Sequence, residues 1–592
     1  MNDILRVANC SGFYGDRLSA AREMVEGGPI DVLTGDYLAE LTLMLLHKDR
    51  AKDPRQGYAK TFLLQLRQVA ATCLERNIKI VVNAGGLNPA GCAEACRAVY
   101  QELGLEARVA HIEGDDLLER IPDLQKDGES LNHLDQGIPL ADLKAPILSA
   151  NAYLGGWGIA KALERGADLV ICPRVTDAAL VVGPAAWRFG WARDDWNALA
   201  SAVVAGHILE CGAQATGGNY SFFKDVEGLE RPGFPLAEIG PDGSFVVTKH
   251  PNTGGEVSIG TVTAQLLYEI DAPRYKNPDV TAHFDTIQLS SDGKDRVRVE
   301  GVTGEPPPAT TKVCINYPGG FKNSFTFLLN GPDVEEKARL ATETLWASLG
   351  GRDQFADTEV RLHRAGPATT LDESYSLLTV AVKDPDAKKV GRRFSGAAVE
   401  MALASYPGFN MTAPPGRETP FGVYWPALVS NSAVSQRVVF EDASLDIELP
   451  NSEQQPEPST LLDDTVASEA TPEAAALHPG DVVTAPLGRV CGARSGDKGG
   501  NANLGVWTIS DGAYGWLEAT LTVERLKELI PETADLEIER YVLPNLRALN
   551  FLIRGFLGDG VAASLALDAQ AKGLGEHLRS RWVSIPKDLL AS

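Results

Sequence analysis

The chain has 592 residues, of which 44% are hydrophobic and 23% are charged, and its formal net charge is −24. This composition is typical of a globular protein of roughly three or four domains, with no apolar run long enough to predict a transmembrane helix. The acidic balance argues against nucleic-acid or anionic-membrane partners, because either needs a basic face that displaces counterions. Residues 1–6 show neither a signal-peptide nor a transit-peptide pattern, so we expect a cytoplasmic protein.

Residues 1 to about 275 are predicted to form successive α/β units. Each apolar strand is followed by a loop of Gly, Asn, Asp or Ser and then by a helix. The first four expected strands are 5–8, 30–34, 78–82 and 108–112. In an open α/β sheet, ligands bind outside the carboxyl ends of the strands, where helix N-termini favour anions. Asp36 after the second strand and Asn83, Gly85 and Gly86 after the third are therefore candidate site residues.

The clearest unit lies in the middle of this region. Gly155 and Gly156 form a turn before an amphipathic helix, and the unbroken apolar run at 169–172 in the predicted strand 168–172 indicates a parallel strand covered on both faces. Arg174 and Asp177 follow the carboxyl end of that strand, where a ligand site is expected. For this pair alone, an active-site turn and a helix cap with an ion pair explain the pattern equally well. The recurrence of such loops favours the active site.

A further small-residue loop follows the predicted helix 202–211, and it contains Gly217, Gly218 and Asn219. Any one of these loops is a weak signal, because Gly and Asn are what tight turns require. None of them matches the P-loop or the dinucleotide-binding fingerprint. We therefore expect neither nucleotide triphosphate chemistry nor a nucleotide redox cofactor.

The sequence gives little support for a metal centre or an activated nucleophile. The eight cysteines are scattered, and the close pair Cys92 and Cys96 is interpreted as part of the core. His207, His250 and His283 are each isolated in sequence and are interpreted as structural. No serine lies in a nucleophile elbow. We assign no metal ligands, and the alternative that Asp36 or Asp177 holds a divalent ion is left open.

The remaining chain is predicted to contain an α+β portion, a linker and a small domain. The α/β part at 1–275 and the α+β portion at 276–450 together form the predicted N-terminal domain, with a mainly parallel sheet in its first part. Residues 451–480 are rich in Glu, Pro, Ser, Thr and Ala without apolar periodicity, which is typical of a linker. Residues 481–592 are predicted to form an α+β sandwich.

The C-terminal domain has one segment that is unusually rich in small residues. A predicted loop at 494–503 contains Arg494 and Lys498 among three glycines and two asparagines. Flexible backbone of this kind allows main-chain amides to approach a ligand, and the two cations suit a phosphate or a carboxylate. The alternative is a hairpin in which Asp497 and Lys498 form a solvated pair.

Five motifs together carry a resemblance to a known family. They are GDYLAE at 35–40, NAGGLNP at 83–89, RVTD at 174–177, ECGAQATGGN at 210–219 and GARSGDKGGN at 492–501. Over nearly the whole chain the sequence resembles the acyclic terpene utilisation protein A family. The resemblance implies a large N-terminal domain, a small C-terminal ferredoxin-like domain, and a place in pathways that degrade citronellol and geraniol through CoA thioesters. It supplies no catalytic residues.

The resulting hypothesis is an enzyme that acts on a CoA thioester or a related branched carboxylic acid by lyase or hydratase chemistry. Such chemistry needs a base, a stabiliser for the enolate oxygen and a cradle for the CoA phosphates. Asp36 and Asp177 are the candidate bases, and Asn83 and Asn219 the candidate oxyanion holders. The alternative is a non-catalytic subunit or scaffold that binds acyl-CoA. We expect a homo-oligomer with a small-molecule ligand.

Overall fold

The computed structural model describes residues 4–448 and 481–590. The chain divides into two compact units, each built from more than one segment. The first unit comprises the described residues of Met1–Asn316, Tyr424–Leu557 and Gln570–Ser592, and the second comprises Tyr317–Val423 and Gly558–Ala569. The predicted linker 451–480 lies outside the described residues.

The strands of the described residues are numbered β1 to β26 in chain order. They are Leu5–Asn9, Val32–Gly35, Lys79–Val82, Val109–Glu113, Ser149–Ala152, Leu169–Ile171, Pro235–Ile239, Phe245–Lys249, Arg274–Lys276, Thr281–His283, Gln288–Ser291, Arg296–Glu300, Thr303–Glu305, Thr310–Leu329, Asp357–His363, Ser376–Asp384, Asn410–Met411, Thr419–Ser430, Gln436–Phe440, Ala443–Ile447, Val482–Pro486, Gly492–Lys498, Asn501–Trp507, Ile538–Leu543, Ala548–Ile553 and Trp582–Pro586. The four strands predicted first are all present, with bounds that differ by a few residues.

The α-helices of the same residues are numbered α1 to α14. They are Ala20–Gly27, Glu40–Lys52, Lys60–Glu75, Pro89–Glu102, Ile121–Lys126, Trp157–Glu164, Ala179–Phe189, Trp196–Glu210, Ile259–Leu266, Val334–Leu349, Phe394–Glu400, Asp511–Thr520, Val523–Leu529 and Leu574–Arg579. None of these described helices combines the length and the hydropathy needed to cross a membrane.

A sheet of eleven strands is the framework of the first unit. Its order is β11-β12-β8-β7-β1-β2-β3-β6-β4-β19-β20. The five central strands, β1, β2, β3, β6 and β4, are parallel. Antiparallel strands extend the sheet at both edges. The prediction of a large α/β domain is confirmed, and the parallel pairing is confined to the centre of a mixed sheet.

The central strands are parallel because their side chains are apolar in succession and are covered on both faces. Leu169, Val170 and Ile171 of β6 are completely buried. Helix α8 is also buried around its whole circumference from Leu199 onward, as expected for a helix without a polar face, and it packs against α7. This helix ends at Glu210, so the fold carries a carboxylate into the interior.

The C-terminal residues of the first unit form a four-stranded antiparallel sheet with helices α12 to α14. The strand order is β22-β23-β25-β24, and the sheet has its own apolar core. The predicted α+β fold of this part is confirmed. The predicted loop at 494–503 is wrong and the alternative, a hairpin, is confirmed, because these residues belong to the paired strands β22 and β23 and the turn between them. Its tight turn is at Gly499, which has a φ of +65°.

The second unit is a smaller α+β body. Residues Phe321–Leu329 of β14 pair with β16, and β15 and β17 complete the sheet. Helices α10 and α11 contribute to its core, in which the rings of Phe325 and Phe394 stack at 4.5 Å. The predicted helix at 334–349 is confirmed as α10. None of the residues nominated from the sequence lies in this unit.

Candidate active site

Three of the nominated residues meet at the carboxyl ends of neighbouring parallel strands. Asp36, Asn83 and Arg174 follow β2, β3 and β6, which are adjacent in the sheet. The Asn83 side-chain amide donates to Asp36 Oδ1 at 2.6 Å. Arg174 Nη1 donates to the carbonyl oxygen of Leu38 at 3.1 Å and to Asp177 Oδ1 at 2.8 Å. The sheet topology therefore gathers residues that are far apart in sequence.

Asp36, Asp177 and Glu210 form what we call the acidic cluster. One carboxylate oxygen from each lies within 4.8 Å of the others. Asp36 and Glu210 are buried, whereas the Asp177 side chain is 30% exposed, so the cluster opens to solvent on the Asp177 side. Burial, followed by the charge of Asp177, raises the pKa of both Asp36 and Glu210 well above the usual range of carboxylic acids.

Glu210 is the member of the cluster that the sequence analysis did not nominate. It is the last residue of α8, and its Oε1 lies 3.1 Å from Nδ1 of His207, one turn earlier in the helix. Its Oε2 is buried and has no hydrogen-bond partner among the described residues. Burial, with the nearby charge of Lys498, lowers the pKa of His207 to about 4. The imidazole is therefore neutral at pH 7.

Two cations lie beside the acidic cluster. The Arg174 guanidinium is buried and is held 4.2 Å above the ring of Tyr153. Lys498, from the hairpin of the C-terminal domain, donates to the carbonyl oxygen of Glu269 at 2.7 Å. The charges of both cations act to lower the pKa of Glu210. The C-terminal domain thus contributes directly to the electrostatics of the cluster.

Arg494 and Lys572 of the C-terminal domain form a second group of cations, which we call the cationic pair. Both interact with the ring of Tyr268, at 4.4 Å and 4.5 Å from its centroid. Lys572 also contacts the Tyr268 hydroxyl, and Arg494 contacts Gln214 Oε1. Burial lowers the pKa of Arg494 and Lys572.

Cys211 connects the two sides of the site, because it follows Glu210 in sequence. Burial raises the pKa of its thiol, and the charges of Glu210 and Lys572 both act on it. A thiol with a raised pKa carries little thiolate and is a poor nucleophile. Cys211 therefore lies within electrostatic range of both the acidic cluster and Lys572, and its raised pKa makes it a poor nucleophile.

Comparison with protein families identifies two regions of the chain. The model of the acyclic terpene utilisation family protein AtuA matches residues 5–440, and that of the AtuA ferredoxin-like domain matches residues 485–584. The chain belongs to the acyclic terpene utilisation family. A search of curated proteins found no match. In this family member the acidic cluster lies within the first matched region and the cationic pair within the second.

Asn219 lies on the side of the cationic pair in this acyclic terpene utilisation protein. It is exposed, adopts a left-handed φ of +60°, and its side-chain amide donates to Gln214 Oε1 at 3.4 Å. Gln214 in turn contacts Arg494. The structure therefore places Asn219 beside Gln214, on the side of the cationic pair, and does not group it with Asp36, Asn83 and Asp177.

The glycines nominated for cofactor binding are in close contact with other parts of the chain. A Cβ atom added at Gly85, Gly86, Gly155, Gly156 or Gly218 would lie within 2.9 Å of another protein atom. Gly217 has a φ of +104°. The backbone N–H of Gly156 donates to the carboxylate of Asp279 at 2.8 Å. Packing and backbone conformation thus account for these glycines without a ligand.

Gly85→Ala separates packing from ligand binding at one of these positions. The new Cβ would lie 2.6 Å from the carbonyl oxygen of Cys172 and 2.9 Å from Cα of Pro89, and these backbone atoms cannot move independently. We expect the free energy of unfolding to fall by about 1–3 kcal/mol. Urea denaturation measures this change, with Gly366→Ala as a control because nothing lies within 4 Å of a Cβ there and its φ is not left-handed. Unchanged stability of the Gly85→Ala variant would contradict the packing role.

Proposed function

We propose that this protein is an enzyme of terpenoid acid catabolism that acts on a CoA thioester by lyase or hydratase chemistry. The observation that carries the proposal is that Cys211 feels the charge of the acidic cluster from one domain and of Lys572 from the other, with the buried Arg494 beside Lys572 on the ring of Tyr268. Membership of the acyclic terpene utilisation family supplies the pathway class. Neither domain alone contains both halves of this site.

The two halves suit different parts of such a reaction. Adding or removing a hydroxyl group next to a thioester, or cleaving a neighbouring carbon–carbon bond, develops negative charge on the thioester oxygen. Fixed cations in a site of low dielectric stabilise that charge more strongly than water does. We assign this role to Arg494, which is buried, with the partly exposed Lys572 beside it. The acidic cluster then binds the hydroxyl group that is added or removed, and Asp177 is the member of the cluster that solvent can reach.

Asn83 takes a positioning role in this proposal and no longer that of an oxyanion holder. Its side-chain NH₂ donates to Asp36, and its Oδ1 accepts from the backbone N–H of Tyr37 at 2.7 Å. The residue is completely buried. With these bonds made, Asn83 orients the Asp36 carboxylate, and the stabilising role passes to the cationic pair.

The proposal is tested by turnover of a panel of branched acyl-CoA thioesters. We expect the wild-type protein to convert at least one of them, and Asp177→Asn to lower kcat by at least about 100-fold with little change in KM. Glu238→Gln is the matched control, since Glu238 is a carboxylate of β7 that pairs with Arg6 and Arg296. Binding of a thioester without turnover by the wild-type protein would overturn the proposal in favour of a non-catalytic subunit.

A further inference from the structure

The acidic cluster has the size of a cation site. Two bonds from Ca²⁺ to oxygen, each about 2.3–2.6 Å long, span up to about 5 Å across the ion. The oxygens of Asp36, Asp177 and Glu210 all lie within 4.8 Å of one another, so a single ion can contact all three. The shorter bonds of Mg²⁺, about 2.1 Å, require the cluster to contract by up to about 0.6 Å.

Glu210 provides a second and independent observation. Its Oε2 is buried without a hydrogen-bond partner among the described residues, and its carboxylate belongs to the cluster. Leaving a buried carboxylate oxygen unsatisfied is costly, and buried charges in proteins are generally paired or coordinate metals. The group also stands at the C-terminus of α8, where the helix dipole disfavours negative charge. A positive ligand offsets both costs.

The other two carboxylates are held in place for such a ligand. Asn83 and the backbone N–H of Leu38 both donate to Asp36 Oδ1, at 2.6 Å and 3.1 Å. Arg174 Nη1 donates to Asp177 Oδ1, and the partial exposure of Asp177 leaves a route from solvent. Hydrogen bonds of this kind orient ligating carboxylates in metal sites.

We propose that Asp36, Asp177 and Glu210 bind one divalent cation of the hard class, such as Mg²⁺, Mn²⁺ or Ca²⁺. Three carboxylate oxygens without sulfur or imidazole ligands select that class. The inference rests on the proposed function for what the cation does, which is to hold the hydroxyl group or water that is removed or added. Cation binding itself is independent of any substrate.

The test uses Mn²⁺ as the probe and measures free Mn²⁺ by electron paramagnetic resonance on the purified full-length protein. We expect the wild-type protein to bind one equivalent, and added Mg²⁺ or Ca²⁺ to displace it. Glu210→Gln and Asp177→Asn are expected to weaken binding by more than the 10- to 100-fold that is typical of losing an outer partner. Glu238→Gln removes a carboxylate outside the cluster and is expected to bind as the wild type does.

Each result decides the proposal. No Mn²⁺ binding by the wild-type protein, or equal binding by Glu210→Gln and the wild type, would overturn it. If a variant does not fold, the wild-type protein alone provides the test. Mn²⁺ that binds the native state raises its unfolding temperature, and no rise would contradict the proposal. Turnover of an acyl-CoA without Mn²⁺ binding would contradict the cation site and support the proposed function. Mn²⁺ binding without turnover would support the cation site and contradict the proposed function.

Discussion

Arg174→Gln is expected to lower the free energy of unfolding by about 3 kcal/mol, near the lower end of the range for breaking a buried ion pair. Arg174 is 3% exposed, and its guanidinium donates to Asp177 and Leu38 and lies over the ring of Tyr153. Its removal leaves Asp177 beside Asp36 without the cation that pairs with it. The lower end applies because Asp177 is partly exposed and water screens its charge. Urea denaturation at pH 7 measures the change.

An exposed arginine provides the control for this prediction. Arg231 pairs with Glu23, but its side chain is 66% exposed, so Arg231→Gln is expected to cost less than about 1 kcal/mol. The double variant Arg174→Gln/Asp177→Asn is expected to recover part of the loss, since it removes the acid left unpaired. A loss below 1 kcal/mol for Arg174→Gln, or no recovery in the double variant, would show that the pair does not stabilise the fold.

The parallel part of the site was predictable because its geometry follows from one rule. Unbroken apolar strands predict a sheet covered on both faces, and the carboxyl ends of its parallel strands lie on one edge. Asp36, Asn83 and Arg174 follow three such strands, so their meeting required only that β2, β3 and β6 be neighbours. Asp177 was nominated together with Arg174, which it follows by three residues in the same segment.

Glu210 carried a signal that loop patterns do not contain. It ends a helix that is apolar around its circumference, so its side chain has no polar face on which to reach water. An acid at that end also opposes the helix dipole. These two conflicts mark a functional candidate more clearly than isolated glycines do. Lys572 has no comparable local signal, because only the packing of the C-terminal domain brings it to Tyr268.

The hairpin of β22 and β23 was mistaken for a loop because small residues have two uses. Gly and Asn are common in turns, but they also occur in strands where another chain segment approaches closely. A Cβ at Gly496 would lie 2.5 Å from the ring of Tyr268, and one at Gly505 would lie 2.5 Å from Cβ of Leu267. Tertiary contacts, which local pattern does not encode, decide between the two uses.

Asp115→Asn is expected to remove a pH dependence of stability from the fold. Asp115 follows β4 and is 3% exposed, and its Oδ2 accepts from the side chain of Asn151 at 2.7 Å and from the backbone N–H of Arg174 at 3.2 Å. Burial raises its pKa from 3.8 to about 7. The folded protein therefore keeps this proton up to about pH 7, whereas the unfolded chain loses it near pH 4.

The sign follows from proton binding. Between about pH 4 and pH 7 the folded state binds one more proton at Asp115 than the unfolded state, so this group makes stability fall as the pH rises. Over the two pH units from 5 to 7, the stability of Asp115→Asn relative to the wild type is expected to rise by about 2 kcal/mol, and to change little from pH 7 to 8. The single side-chain oxygen of Asn can accept both existing hydrogen bonds.

Urea denaturation at pH 5, 6, 7 and 8 measures this difference, with Asp194→Asn as the control because Asp194 is exposed. Only the difference between each variant and the wild type is compared, since Asp36, Glu210 and other groups also change the wild-type curve. A difference for Asp115→Asn that stays constant from pH 5 to 8 would mean that the folded protein holds Asp115 ionised. The edge of the sheet beside Arg174 would then be more polar than its burial implies.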